Sequence, residues 1–239
     1  MCNNMADPGL RHARWACAGT RNRDNHMAIQ PLSDPTTNAT TAAADERTIR
    51  RVADALRDNN IEVLVVDTGD EARGEVLSRI EPGSEVYSGK SLTLEEIGVF
   101  AALHEPGRFD AIRPKLQAMD RATHGREMRK LGSTPDTLVG SVNALTEDGV
   151  LVAASATGNQ LAGYAAGAGR VILVVGSQKI VKDLDAALER IREVVFPYED
   201  ARVRATLGVG TKLEKILLLI GEWVAGRTTV ILVREPVGV

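Results

Sequence analysis

The sequence predicts an α/β layered sandwich built around a mainly parallel sheet, on three observations. Helical apolar spacing alternates with short β-branched runs from Asp45 onward. The run from Val171 to Val175 is apolar at every position, the pattern of a strand covered on both faces. Polar residues gather beside the predicted strand ends, where ligands bind in open α/β sheets.

Taken in order, residues 1–44 mix Asn, Thr, Ser, Pro, Asp and Ala with scattered arginines and show no sustained period. Such a segment buries too little surface to offset its ordering entropy, so a disordered tail is expected there. It has no apolar h-region, and Asp7, Asp24 and Asp34 argue against a mitochondrial presequence. Met27 is an alternative start to Met1. Residues 45–239 then suffice for one domain with a single hydrophobic core.

Ile49, Val52, Ala53 and Leu56 lie at helical spacing, and Asn59-Asn60 ends that helix. Ile61–Val66 reads as a strand, Glu71–Ile80 as a helix, and Val86-Tyr87 as a short strand before Ser88-Gly89-Lys90-Ser91. Thr93 and Glu96 have the spacing of a capping box, T-x-x-E. Residues 108–131 read as helical, with Pro114 at the entry. The organising stretch is 141–185. Leu138–Val142 and Val150–Ala154 are strands about a turn holding Asp148-Gly149. After Thr157-Gly158-Asn159-Gln160 come a helix, the strand ending at Val175, and an amphipathic helix from Asp183 to Val195 stopped by Pro197, with a short helical piece expected around Glu199 to Ala205. The runs 215–224 and 228–233 read as a terminal β-hairpin or as two adjacent strands.

Composition narrows function. The net charge of −3 exerts no overall pull on nucleic acid or anionic membrane, and 3% aromatic residues leave few stacking platforms for single strands. Cys2 and Cys17 both fall in the tail, so the core has no disulfide framework and no cysteine ligands for an iron–sulfur cluster. His12, His26, His104 and His124 are dispersed without metal-ligand spacing, so no metal or other cofactor is expected. A cytoplasmic location is expected, since no apolar run is long enough to span a membrane.

Several familiar motifs fail on spacing. Gly89-Lys90-Ser91 ends like a P-loop, but the glycine needed five residues earlier is Ser84. Gly163, Gly167 and Gly169 precede a strand, whereas the dinucleotide fingerprint follows one. The Ser88, Gly89, Lys90, Ser91 loop suits an anion, or is simply a solvated strand–helix turn. Glu147 and Asp148 are candidate catalytic carboxylates, as nucleophile or base; the plain structural alternative is a solvated turn. Asn143, Gly158, Asn159 and Gln160 are candidate ligand-binding residues, with Lys179 as counter-charge to an anion.

Four segments, 88–98, 141–160, 170–191 and 212–238, together resemble the LUD domain, the family of lactate utilization protein C. The resemblance implies a NagB/RpiA/CoA-transferase-like fold over most of residues 45–239. It also implies an accessory role in oxidation of L-lactate to pyruvate, beside iron–sulfur partner subunits that carry the redox chemistry. It brings no established catalytic residue. Two other expectations stay open: a stand-alone CoA-transferase- or sugar-phosphate-isomerase-like enzyme, and a docking module for iron–sulfur subunits. A small anionic metabolite is the expected ligand, and a homodimer is a plausible assembly for the apolar C-terminal strands.

Overall fold

Asp45 starts the first helix because its carboxylate accepts the Thr48 N–H at 2.8 Å. The computed structural model describes residues 42–239, so the tail expected over residues 1–44 lies almost wholly outside the described residues. In chain order the elements are α1 (Glu46–Asp58), β1 (Glu62–Val66), α2 (Gly69–Ser78), β2 (Glu85–Ser88), α3 (Leu92–Glu96) and α4 (Val99–Leu103). Next come β3 (Asp110–Ala111), α5 (Ile112–Ala118), α6 (Arg121–Ser133), β4 (Thr137–Gly140), β5 (Ala144–Thr146) and β6 (Leu151–Ser155). The remainder is β7 (Arg170–Gly176), β8 (Ile180–Val181), α7 (Leu184–Arg190), α8 (Phe196–Leu207), β9 (Lys215–Leu219) and β10 (Thr228–Val233).

Two sheets organise these elements. One holds six strands, all parallel, in the order β1-β10-β7-β4-β2-β3. The other holds four strands in the order β8-β5-β6-β9, with β6 antiparallel to both its neighbours. A mainly parallel α/β sheet, as the sequence predicts, is therefore present.

β7 lies inside the larger sheet, and its side chains alternate between two cores as strand geometry requires. Val171, Leu173 and Val175 join a core with Ile49, Val52 and Leu56 of α1 and with Leu145 and Leu151 of the smaller sheet. Ile172 and Val174 point the other way, into a core made with Ala72 and Val76 of α2, Leu94 of α3 and Val99 of α4. On the outer side of the smaller sheet, Ala144 and Val152 pack against Ala187 and Ile191. One residue lacking a side chain shapes the main core. A Cβ on Gly140 would collide with the Tyr164 hydroxyl, which donates to the Ser141 carbonyl at 3.1 Å.

Several sequence expectations need correction. The helix expected over residues 108–131 is split: Met119 is extended, and Asp120 caps a new helix by accepting the Ala122 N–H. Leu138–Val142 does not form a hairpin with Val150–Ala154; β4 belongs to the larger sheet, and β5 is the hairpin partner of β6. The turn itself falls where expected, with Gly149 at φ +87°, a conformation costly for any other residue. Ser91 is the N-cap position of α3, and Thr93 lies inside the helix with its hydroxyl engaged elsewhere, so the T-x-x-E pair is not a capping box. Pro197 does not stop the helix. A wide π turn over Ile191–Val195 precedes it, and α8 continues to Leu207 with the proline in its first turn, where its missing N–H costs least. A similar wide turn, Gly163–Gly167, stands where a helix was expected before β7. The C-terminal runs make no hairpin: β9 pairs with β6, and β10 inserts between β1 and β7. Among the described residues, no helix is long and apolar enough to cross a membrane.

Gly140→Ala should destabilise the fold by about 1–3 kcal/mol, since the added methyl overpacks a filled core. Urea unfolding is the check; an unchanged midpoint would mean that Tyr164 moves aside freely.

Candidate functional site

Because the larger sheet is all parallel, its strands release their following loops at one edge. β2, β4 and β7 lie side by side in the order β7-β4-β2. The segments after them hold Gly89–Ser91, Ser141–Asn143 and Ser177–Lys179 respectively. These segments, the 154–160 loop and one side of α8 enclose a cavity of about 480 Å³.

Lys179 lies on its wall, in a short 3₁₀ turn after β7, only 2% exposed. Its Nζ donates to Thr93 Oγ1 at 2.7 Å, to Ser141 Oγ at 3.1 Å and to the Val142 carbonyl at 3.4 Å. All three acceptors are uncharged, and no carboxylate pairs with Lys179 among the described residues. A buried ammonium without a counter-ion is disfavoured. Burial pushes the amine down from the ordinary lysine range to about 7, the Arg190 guanidinium on α7 adds to the depression, and Glu96 on α3 opposes it. Arg190 is itself 5% exposed, with Nε and Nη1 unpartnered, and burial lowers it to about 10.

The cavity's charge is one-sided. Lys90, Arg113, Lys179 and Lys212 line it and have no acidic partner among the described residues. Its single acidic side chain, Glu199, is neutralised by Arg202 at 2.5 Å. A neighbouring cavity of about 570 Å³ shares Tyr87, Arg113, Thr157 and Asn159 with the first. Its charged lining residues are Arg113, Arg121 and Arg129, all cationic. Arg113 is held in place by stacking over Phe100, with its guanidinium carbon 5.4 Å from the ring centre, and by donating to the Ser88 carbonyl at 3.3 Å.

Of the residues singled out in the sequence, Gly89, Lys90, Ser91, Asn143, Asn159, Gln160 and Lys179 line the first cavity, and Gly158 lines the second. Ser88 is buried behind them, its hydroxyl 3.4 Å from His104 Nε2. Glu147 and Asp148, put forward as nucleophile or base, belong to neither cavity wall. Glu147 pairs with Arg51 of α1 at 2.8 Å, the Asp148 carbonyl accepts from Asn59 at 3.2 Å, and the Asp148 carboxylate accepts from Thr146. They tie the β5–β6 turn to α1. Their adjacency to a turn glycine reflects that turn.

Ser141 and Arg113 were not singled out, and Thr93 drew notice only as a helix cap. No local signal marks them, because each meets Lys179 or the cavity only through long-range folding. Arg202 and Glu199 fall in the short helical piece expected after Pro197, but their position on the cavity wall is set by long-range packing.

A mainly parallel α/β sheet with a polar cavity at the carboxyl ends of its strands defines the structural class of the protein. Within that class the chain belongs to the LUD domain family, whose sequence model matches residues 49–233. Among solved structures, a DUF162 family protein from Deinococcus radiodurans is similar at 15% identity and a TM-score of 0.45, over 80% of this chain and 99% of that one. eIF2B delta from Chaetomium thermophilum is similar at 15% identity and a TM-score of 0.32, over 59% of this chain and 55% of that one. No curated protein matches the chain.

The buried amine makes a prediction about stability. Its folded-state pKa is depressed to about 7, so above that pH the folded chain has released a proton that the unfolded chain still holds. Stability contributed by this group therefore rises between pH 7 and 9, with a slope approaching about 1.4 kcal/mol per pH unit. Urea unfolding of wild type and Lys179→Met across that range should show the rise in wild type and its loss in the variant. Parallel curves would mean that Lys179 titrates normally.

Proposed function

We propose that the strand-end cavity binds a small organic anion, a carboxylate or a phosphorylated metabolite. We further propose that the chain serves as an accessory component of L-lactate oxidation to pyruvate. One observation carries the binding reading: Lys90, Arg113 and Lys212 line the cavity without acidic partners among the described residues, and its only acidic side chain is already neutralised. Cations left unpaired around a concave site repel one another, and an anion relieves that repulsion while its oxygens accept their hydrogen bonds. The arginines of the adjoining cavity extend the positive field and suit a ligand with a second anionic group.

The metabolic role rests on family membership, because the family takes its name from lactate utilization. On this reading electrons pass through iron–sulfur partner subunits, and this chain supplies the anion site. The alternatives of a stand-alone CoA-transferase- or isomerase-like enzyme lose the carboxylates first assigned to them, since Glu147 and Asp148 lie off the cavity.

A thermal-shift series with lactate, pyruvate, sugar phosphates and inorganic phosphate tests the site. An anion held at 100 times its dissociation constant should add about 2.7 kcal/mol of stability. Arg113→Ala should weaken the best anion by roughly tenfold to a hundredfold, the loss of a charged hydrogen bond. No shift with any anion, or an unchanged affinity in Arg113→Ala, would remove this reading. Affinity capture from a lactate-grown culture of the source tests the partners, with iron–sulfur subunits as the expected catch.

A further inference from the structure

The hydroxyls of Thr93 and Ser141 both contact the Lys179 amine, and they differ in access. Thr93 is 1% exposed, enclosed by α3 and the segment at Val237, and its hydroxyl lies 3.5 Å from the Val237 carbonyl. Ser141 is half-buried and lines the cavity, so a bound molecule can meet its hydroxyl. Both residues border the cavity: the amine contacts the half-buried Ser141 hydroxyl at 3.1 Å and the buried Thr93 hydroxyl at 2.7 Å, and the two hydroxyls lie 3.4 Å from each other. A nucleophile within hydrogen-bond reach of a base, with the base fixed by a third group, is the arrangement that activates a hydroxyl.

We propose that Ser141 is a nucleophile for acyl transfer, with Lys179 as its general base and Thr93 as the residue that positions the base. The substrate is an ester or thioester whose acyl group or leaving group carries negative charge. The charge requirement rests on the anion reading of the same cavity; the nucleophile does not.

Atom placement supports the roles. A neutral amine has two N–H donors and one lone pair. Once Lys179 gives up a proton, donation to Thr93 Oγ1 and the Val142 carbonyl would leave its lone pair for the Ser141 hydroxyl 3.1 Å away, reversing the bond that the ammonium donates there. As Ser141 Oγ bonds to the acyl carbon, its proton passes to Lys179 Nζ. The tetrahedral intermediate then collapses, the carbon–oxygen or carbon–sulfur bond of the substrate breaks, and the leaving group takes the proton from Lys179. Water attacks the acyl-serine in the second half. It passes one proton to Lys179 and then to Ser141 Oγ, releasing a carboxylic acid and restoring the enzyme. No oxidant or reductant enters. The groups that face the amine are Glu96 from α3 and Arg190 from α7, and burial, with Arg190 adding to it, lowers the amine to about 7, so a neutral fraction is present near neutral pH.

The test is covalent labelling of the full chain with two probes, uncharged phenylmethanesulfonyl fluoride and an alkyl fluorophosphonate. In each, Oγ displaces fluoride. A single adduct is expected on the peptide containing Ser141, read by mass spectrometry, and absent in Ser141→Ala. Lys179→Met should slow labelling by roughly a hundredfold or more. In wild type the rate should climb as pH rises through about 7. The proposal is overturned if neither probe marks Ser141 in folded protein, or if folded Lys179→Met labels at the wild-type rate. Should Lys179→Met not fold, a flat wild-type profile between pH 6 and 8.5 overturns it instead. Ser141→Ala tested for anion-induced thermal shift separates the two readings. A retained shift without wild-type labelling leaves an anion site and sinks the nucleophile, and labelling without any shift does the reverse.

Discussion

The seven residues of β7 set the conditions for everything else in this fold. Hydrogen-bonded on both edges and covered on both faces, the strand fixes the register of β10 on one side and β4 on the other. Its alternating side chains seed two separate cores, so neither helical layer nor the smaller sheet has an independent place to dock. An apolar strand this enclosed also has one exit. At Gly176 the chain leaves the sheet, and three residues later it places a lysine among uncharged oxygens beneath the cavity.

That placement links packing to chemistry. Lysine is rarely enclosed without a carboxylate, because the ammonium loses its hydration for little return. Here the return comes from two hydroxyls and a carbonyl supplied by α3 and the segment after β4. Such a site holds a neutral amine more comfortably than a charged one. The cations that remain charged, Lys90, Arg113 and Lys212, stand nearer the solvent, so charge attraction and proton transfer are served by different residues of one cavity.

Much of this was legible from local pattern. α1 has four apolar residues at one helical spacing and an aspartate cap, and nothing distant competes with either. β7 reads as a buried strand because its own residues specify burial on both faces. Seven strand-end residues that line the first cavity, Lys179 among them, were found by asking which polar side chains follow strands. What failed was decided elsewhere in the chain. Thr93 looked like a helix cap, but a lysine 86 residues away takes its hydroxyl. Pro197 looked like a stop until a π turn widened the helix ahead of it. β9 and β10 looked like neighbours, whereas sheet membership depends on partners more than 50 residues upstream. Glu147 and Asp148 drew notice as paired carboxylates, and local spacing does not report that Arg51 pairs with the first and Thr146 donates to the second.

The position of β10 has a consequence for how the chain is made. β1 and β7 never touch; β10 stands between them and pairs with both. A ribosome that has translated as far as β7 has produced two fragments of a sheet with a gap one strand wide. Each fragment presents an open edge of Val, Ile and Leu backbone to its surroundings until residues 228–233 emerge and fill the slot. From β7 onward the two fragments wait, each with an open edge, until β10 joins them.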